Sequence, residues 1–280
     1  MPLPPTPALA DVRLVVTDMD GTLLDADGRV PDDVWPVLAA LHDAGIVVVP
    51  ASGRQHATIA ADFPAERTPG HGELVIIAEN GTLVTRGGRE IFSDAMTPQD
   101  VAAVVHAVRS IDPVRGGAVV AGRRSAYVER ADAAFVDHVR TYYAELEVVD
   151  DLTRVDDQVL KVAVHDDVDS ATGTFPALAH LQESLQVAVS SPHWVDVMNP
   201  GVTKGVALRR LQELAGIGPE QTMVFGDYLN DLEMLDAAHW SYAMAGAHPD
   251  VIARARYVAP SNAEHGVVQV LRAMLRAPLD

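Results

Sequence analysis

Three short runs of β-branched and other apolar residues end in the same way, and that shared ending limits the fold more than any other feature of the chain. Val12-Arg13-Leu14-Val15-Val16 leads into Asp18-Met19-Asp20-Gly21-Thr22. Ile46-Val47-Val48-Val49-Pro50-Ala51 stops at Ser52-Gly53-Arg54, and Gln221-Thr222-Met223-Val224-Phe225 stops at Gly226-Asp227-Tyr228-Leu229-Asn230-Asp231. Each is a strand-like run, then a small or acidic residue, then a helix-like segment, which is the punctuation of a parallel α/β sheet. Ligands of such sheets sit outside the carboxyl ends of the strands, so Asp18, Ser52 and Asp227 are expected to converge in space.

Two carboxylates at the end of a buried strand lose water and need a cation, hydrogen bonds or a catalytic role to compensate. A Mg²⁺ ion would supply that compensation. One carboxylate can take up a phosphoryl group as an aspartyl phosphate while a second handles protons for the leaving group and the attacking water. Asp18 fits the first role and Asp20 the second, because alternate residues of an extended chain face the same side. Asp-Gly is also a common turn dipeptide, so these five residues by themselves read equally well as a strand ending in an acidic turn. Further on, Gly201-Val202-Thr203-Lys204-Gly205 opens an amphipathic segment from Val206 to Leu214. A helix N-terminus favours anions, so Lys204 in the first turn is best explained by an anion beside it.

Together these segments resemble the haloacid dehalogenase-like superfamily of phosphohydrolases, in its Cof-type subfamily IIB branch with a large α/β cap. The likeness runs from Val12 to Leu275 and rests on four motifs in order: Asp18-Met19-Asp20-Gly21-Thr22, Ser52-Gly53-Arg54, Lys204, and Gly226-Asp227-Tyr228-Leu229-Asn230-Asp231. Glu79-Asn80-Gly81 and Met244-Ala245-Gly246-Ala247 agree with it, as does the closing Glu264-His265-Gly266-Val267. The family usually has Met-Gly-Asn-Ala in the second of these, so its asparagine is missing here. Ser52 stands where threonine is frequent and keeps the hydroxyl.

The resemblance implies a role for each position. Asp18 would attack phosphorus, and Asp18, the backbone carbonyl of Asp20 and Asp227 would hold Mg²⁺. Asp20 would act as general acid and then base. Ser52, the Gly53 amide, Lys204 and Asn230 would grip phosphate oxygens, with Asp231 orienting Lys204 or a metal-bound water. Arg54 and Asn80 are candidate substrate contacts. The division is physically sensible, since a transferring phosphoryl group spreads negative charge over its equatorial oxygens and positioning supplies most of the rate.

Composition narrows the alternatives. A formal net charge of −18 opposes a nucleic-acid or anionic-membrane partner. The absence of cysteine removes disulfides and thiolate chemistry and suits a cytoplasmic protein. The eleven histidines show no zinc-protease spacing, and there is no Gly-rich nucleotide loop before Lys204. No apolar stretch is long enough to span a bilayer, and the start lacks signal-peptide regions.

The expected architecture is α/β: a Rossmann-like parallel-sheet core from residues 11–85 and 193–280, an inserted α/β cap at 86–192, and a disordered tail at 1–10. Within the cap, Arg123, Arg124, Tyr127, Lys161, His165 and His193 are candidates to touch a leaving group. Asp27-Gly28 reads as a hairpin turn beside the nucleophile. The expected activity is a Mg²⁺-dependent phosphatase of a small phosphorylated metabolite, with sugar phosphates leading, as a monomer or small homo-oligomer. A phosphomutase and a non-catalytic metabolite- or Mg²⁺-binding module are the rival readings.

Overall fold

The computed structural model describes residues 3–111 and 116–276. Fourteen strands are seen among them: β1 Leu14–Asp18, β2 Val47–Ala51, β3 Val75–Ala78, β4 Leu83–Arg86, β5 Arg89–Ser93, β6 Gly116–Gly122, β7 Ala126–Val128, β8 Leu146–Val148, β9 Val159–Asp166, β10 Gln186–Ser191, β11 Trp194–Met198, β12 Thr222–Gly226, β13 Trp240–Met244 and β14 Tyr257–Ala259. They build two sheets. The first has the order β14-β13-β12-β1-β2-β3-β4-β5, parallel from β14 to β3 and antiparallel at β4 and β5. Its central strands are buried along their whole length, as a parallel sheet covered on both faces requires.

β1 lies between β12 and β2, and its register sets Thr17 beside Phe225 and Asp18 beside Ala51. Neighbouring strands lie only about 4.8 Å apart. The residues just beyond those partners, Ser52 and Asp227, therefore meet Asp18 at one edge, as the three runs predict.

The second sheet has the order β10-β11-β9-β6-β7-β8 and is antiparallel except for β7 with β8. Period-two alternation divides its faces. Val162 and Val164 of β9, with Val195 and Val197 of β11, pack beneath the helix Pro98–Arg109. Ala163 and Trp194 belong to the opposite apolar cluster with Phe135 and Val139 of the helix Ala133–Arg140. Lys161 and Asp196 share that second side by the same alternation, and it is the side that faces the first sheet.

Three expectations are corrected. The insert does not run from 86 to 192: Arg89–Ser93 remains on the first sheet because β3, β4 and β5 form a continuous meander, and Trp194–Met198 belongs to the second because it pairs with both β10 and β9. The crossings lie near Asp94 and Asn199, where the Asn199 side-chain amide donates to Asp94 Oδ1 at 2.5 Å and to the Ala95 carbonyl at 2.8 Å. Residues 3–10 are not a free tail. Pro7 is buried, and the hydroxyl of the buried Tyr242 donates to the Pro5 carbonyl at 2.7 Å, an acceptor it would otherwise lack. Asp27-Gly28 makes a tight turn, closed by the Gly28 amide on the Asp25 carbonyl, with no strands flanking it.

Candidate active site

The chain must turn sharply after β1 to leave Asp18 at the sheet edge. Gly21 takes φ +73°, and a Cβ there would lie 2.3 Å from Asp227 Oδ2, so only glycine satisfies both the backbone and the approach of β12. Thr22 Oγ1 donates to Asp227 Oδ1 at 3.1 Å across this contact.

Lys204 enters from the first turn of the helix Lys204–Ala215, whose N-cap Thr203 accepts from the Val206 amide at 3.1 Å. Its ammonium is fully buried, 2.5 Å from Asp18 Oδ1 and 2.8 Å from Asp231 Oδ1. The other oxygen of Asp231 accepts the Asp227 and Tyr228 amides at 3.0 and 3.3 Å. Both oxygens of Asp231 are therefore committed, one to Lys204 and one to the loop after β12. Burial by itself would loosen the Lys204 proton, but the Asp18 and Asp231 carboxylates outweigh it and leave the ammonium more firmly protonated than usual.

Asp18, Asp227 and Asp231 bring carboxylate oxygens within 4.8 Å of one another. Burial pushes the Asp18 carboxyl well above the ordinary range against the pull of Lys204. Asp227 is raised to about 7, by burial first and by the Asp231 charge second. Three carboxylates facing one ammonium fit a cation. Asp18 and Asp227 are the side chains left to ligate it, because Asp231 is already engaged.

Asp20 is placed differently from its partner. Arg54 grips its carboxylate with both ends of the guanidinium, Nε to Oδ2 at 2.7 Å and Nη2 to Oδ1 at 2.5 Å. Arg54 also reaches Asp62 at 3.8 Å and lies 5.7 Å from the ring centre of Tyr142. Ser52 is buried, and its hydroxyl accepts the Arg54 amide at 3.1 Å. Glu79 and Asn80 both adopt left-handed backbone, φ 50° and 57°. The Asn80 amide donates to Asp196 Oδ2 while its oxygen accepts from Asn230 Nδ2 at 3.0 Å.

Asp18, Asp20, Ser52, Gly53, Arg54, Asp227 and Asn230 line one cleft, with Lys204, Asp231 and Asn80 buried behind it. The roof of the cleft comes from the second sheet and its connections: Tyr142, Tyr143, Lys161, Ser190, Ser191, Trp194 and Asp196. Of the six residues proposed for the roof, only Lys161 is among them. Arg123 pairs with Glu90 at 3.2 Å, Arg124 with Asp157 at 3.4 Å, and the Tyr127 hydroxyl donates to Asp157 at 3.0 Å. His165 lies against His138 and edge-on to Trp194, with His193 6.1 Å from it, and neither His165 nor His193 lines the cleft. Tyr142, Trp194 and Asp196 were missed. The paired runs Val187–Val189 and Val195–Val197 around Pro192-His193 read as a hairpin, and alternation along it puts Trp194 and Asp196 on one face; the pairing of β11 with β9 is what makes that the face of Lys161.

A parallel sheet with an acid-rich centre at its carboxyl edge, roofed by a second α/β unit, is an arrangement able to hold a phosphorylated ligand. Residues 15–271 match the haloacid dehalogenase-like hydrolases, and the chain belongs to that family. The chain is 32% identical over 274 residues to the 5-amino-6-(5-phospho-D-ribitylamino)uracil phosphatase YbjI of Escherichia coli, covering 96% of this chain and 99% of that protein. It is 28% identical over 244 residues to the HMP-PP phosphatase of Cronobacter sakazakii, covering 86% and 87%. Among solved structures, SMU.1108c of Streptococcus mutans superposes with a TM-score of 0.86 at 26% identity, covering 95% of this chain and all of the other. No helix among the described residues is long and apolar enough to cross a membrane.

Proposed function

We propose that this hydrolase is a Mg²⁺-dependent phosphatase of a small phosphorylated metabolite, a sugar or polyol phosphate first, acting through an aspartyl phosphate. The observation that carries the reading is the position of Asp18, which lines the cleft while one of its oxygens is held 2.5 Å from the buried Lys204 ammonium. That contact orients the carboxylate and leaves its other oxygen to attack phosphorus. As the Asp18–phosphorus bond forms, the bond to the leaving oxygen breaks, and Asp20 gives that oxygen a proton. A water then attacks phosphorus, Asp20 takes its proton, and the bond to Asp18 breaks to release phosphate.

Asp18, Asp227 and the Asp20 carbonyl would hold Mg²⁺, which neutralises charge on the transferring group when bound. Lys204, Ser52, the Gly53 amide and Asn230 grip the phosphate oxygens. For its part Asp20 has to exchange Arg54 for the leaving oxygen. The inserted domain, bounded near Asp94 and Asn199, serves as the lid, with its edge-to-face Tyr142 and Trp194 and the polar Ser190, Ser191 and Asp196 facing the leaving group. This lining suits a hydroxyl-rich chain, and the Escherichia coli relative is named for a phosphoribityl compound.

The test is phosphate release from a panel of phosphorylated metabolites with Mg²⁺, by wild type and Asp18→Asn. Stoichiometric phosphate from wild type, none from the variant and none in excess chelator is expected. More than about a tenth of wild-type turnover in Asp18→Asn would refute the covalent step. An isomeric product without free phosphate would instead identify a mutase, and tight binding without turnover a binding module.

A further inference from the structure

Lys161 is a roof residue of the cleft whose charged end reaches across to the first sheet's own loops. Its side chain is 2% exposed. Its Nζ lies 2.5 Å from the Gly53 carbonyl, 3.0 Å from Glu79 Oε2 and 3.2 Å from Asp196 Oδ1. The Gly53 carbonyl accepts one N–H of the ammonium, and the Glu79 and Asp196 carboxylates flank it as ion pairs. Lys161 is thus held by groups of the fold, even though it borders the cleft.

Its partners instead continue in both directions. Gly53 belongs to the loop after β2, whose amide is assigned to phosphate. Asp196 accepts from Asn80, and Asn80 accepts from Asn230 at 3.0 Å, the phosphate-gripping asparagine of the loop after β12. The path from Gly53 through Lys161, Asp196 and Asn80 to Asn230 thus leaves the first domain, crosses β9 and β11 of the second, and returns. Glu79 holds Lys161 from below, and the left-handed backbone at Glu79 and Asn80 aims both side chains at the second domain.

We propose that Lys161 is a positioning residue: a buried cation of the inserted domain that fixes the two phosphate-gripping loops relative to each other, so that seating the lid and gripping phosphate are one event. The assignment rests on the phosphatase reading for what the loops hold. Each end of the relay is a backbone or amide group whose direction decides whether a phosphate oxygen is met at hydrogen-bond distance. Loss of Lys161 lets the ends drift apart without removing any group that touches the ligand.

The test measures binding of inorganic phosphate in Mg²⁺ by titration calorimetry, which needs no turnover and involves no leaving group. Lys161→Met and Asn80→Gly, the latter suited to φ 57°, are each expected to weaken phosphate about tenfold. The double variant should be no weaker than the worse single one, because both changes cut the same path. In kinetics, KM should rise by a similar factor for every substrate, regardless of leaving group. Unchanged phosphate affinity in a folded Lys161→Met protein overturns the proposal, as do additive losses or an effect confined to particular leaving groups. Where circular dichroism shows Lys161→Met unfolded, unchanged affinity in Asn80→Gly overturns it. If wild type binds phosphate but hydrolyses nothing, the phosphatase reading fails while the variants still judge the relay.

Discussion

Without a cation, the acidic centre holds an imbalance that pH controls. In the metal-free fold Asp227 is raised from 3.8 to about 7, chiefly by burial. Keeping it ionised there costs on the order of 4 kcal/mol relative to the unfolded chain. A carboxyl raised in the fold binds its proton more tightly folded than unfolded, so this group's contribution to metal-free stability falls as pH rises from about 4 to about 7. Asp18 acts in the same direction. A Mg²⁺ ion held as proposed would have to displace the Asp227 proton. Its apparent dissociation constant should therefore weaken roughly tenfold from about pH 8 to about pH 6 and change little above that range. Titration calorimetry in two buffers of different ionisation enthalpy should count about one proton released per ion near pH 6 and close to none near pH 8. Asp227→Asn should bind Mg²⁺ more weakly and with a flatter pH dependence, and its metal-free form should melt higher than wild type above neutral pH. Equal affinity and equal proton release at both pH values would refute the idea that a half-buried, protonated Asp227 guards the site.

Three further expectations follow from the geometry. Gly21→Ala places a Cβ 2.3 Å from Asp227 Oδ2 at φ +73°, and should cost about 2 kcal/mol or more with loss of turnover; a melting temperature within a degree of wild type would contradict it. Asp20→Asn should slow alkyl phosphate hydrolysis by about 10² to 10⁴ and nitrophenyl phosphate less, as stopped assays of both can decide. Replacing residues 96–198 by a short linker should spare slow nitrophenyl phosphate hydrolysis if the core stays folded by circular dichroism, while selectivity among metabolites disappears; retained selectivity would place specificity in the core.

The chemistry at the sheet edge was legible because each group follows directly on a run that can only be a buried strand. Asp18, Ser52 and Asp227 needed no knowledge of side-chain direction, only that β12, β1 and β2 are neighbours. The roof was harder. Whether Trp194 or Val195 faces the cleft depends on the registration of β11 against β9, a long-range pairing that local pattern leaves undetermined. The pairing of Arg54 with Asp20 was invisible for a related reason, since the two are 34 positions apart and meet only once both loops are built. The boundary at 86 failed because Arg89–Ser93 pairs back on β4 and closes the first sheet, a pairing that nothing in the short run itself announces. β8 is only three residues long and carries too little pattern to be seen.

The clasp between Asp94 and Asn199 has a consequence for how the chain finds its fold. These residues are 105 positions apart, yet their side chains touch. Closing a flexible loop of that length costs roughly 4 kcal/mol in chain entropy, and the pairing of β1 with β12 cannot form until it has been met. A second domain that folds by itself with its two ends adjacent meets that cost in advance, turning a remote pairing into a nearly local one. An inserted domain that folded first would be an internal template for the core, bringing the two halves of the eight-stranded sheet together at the Asp94–Asn199 clasp.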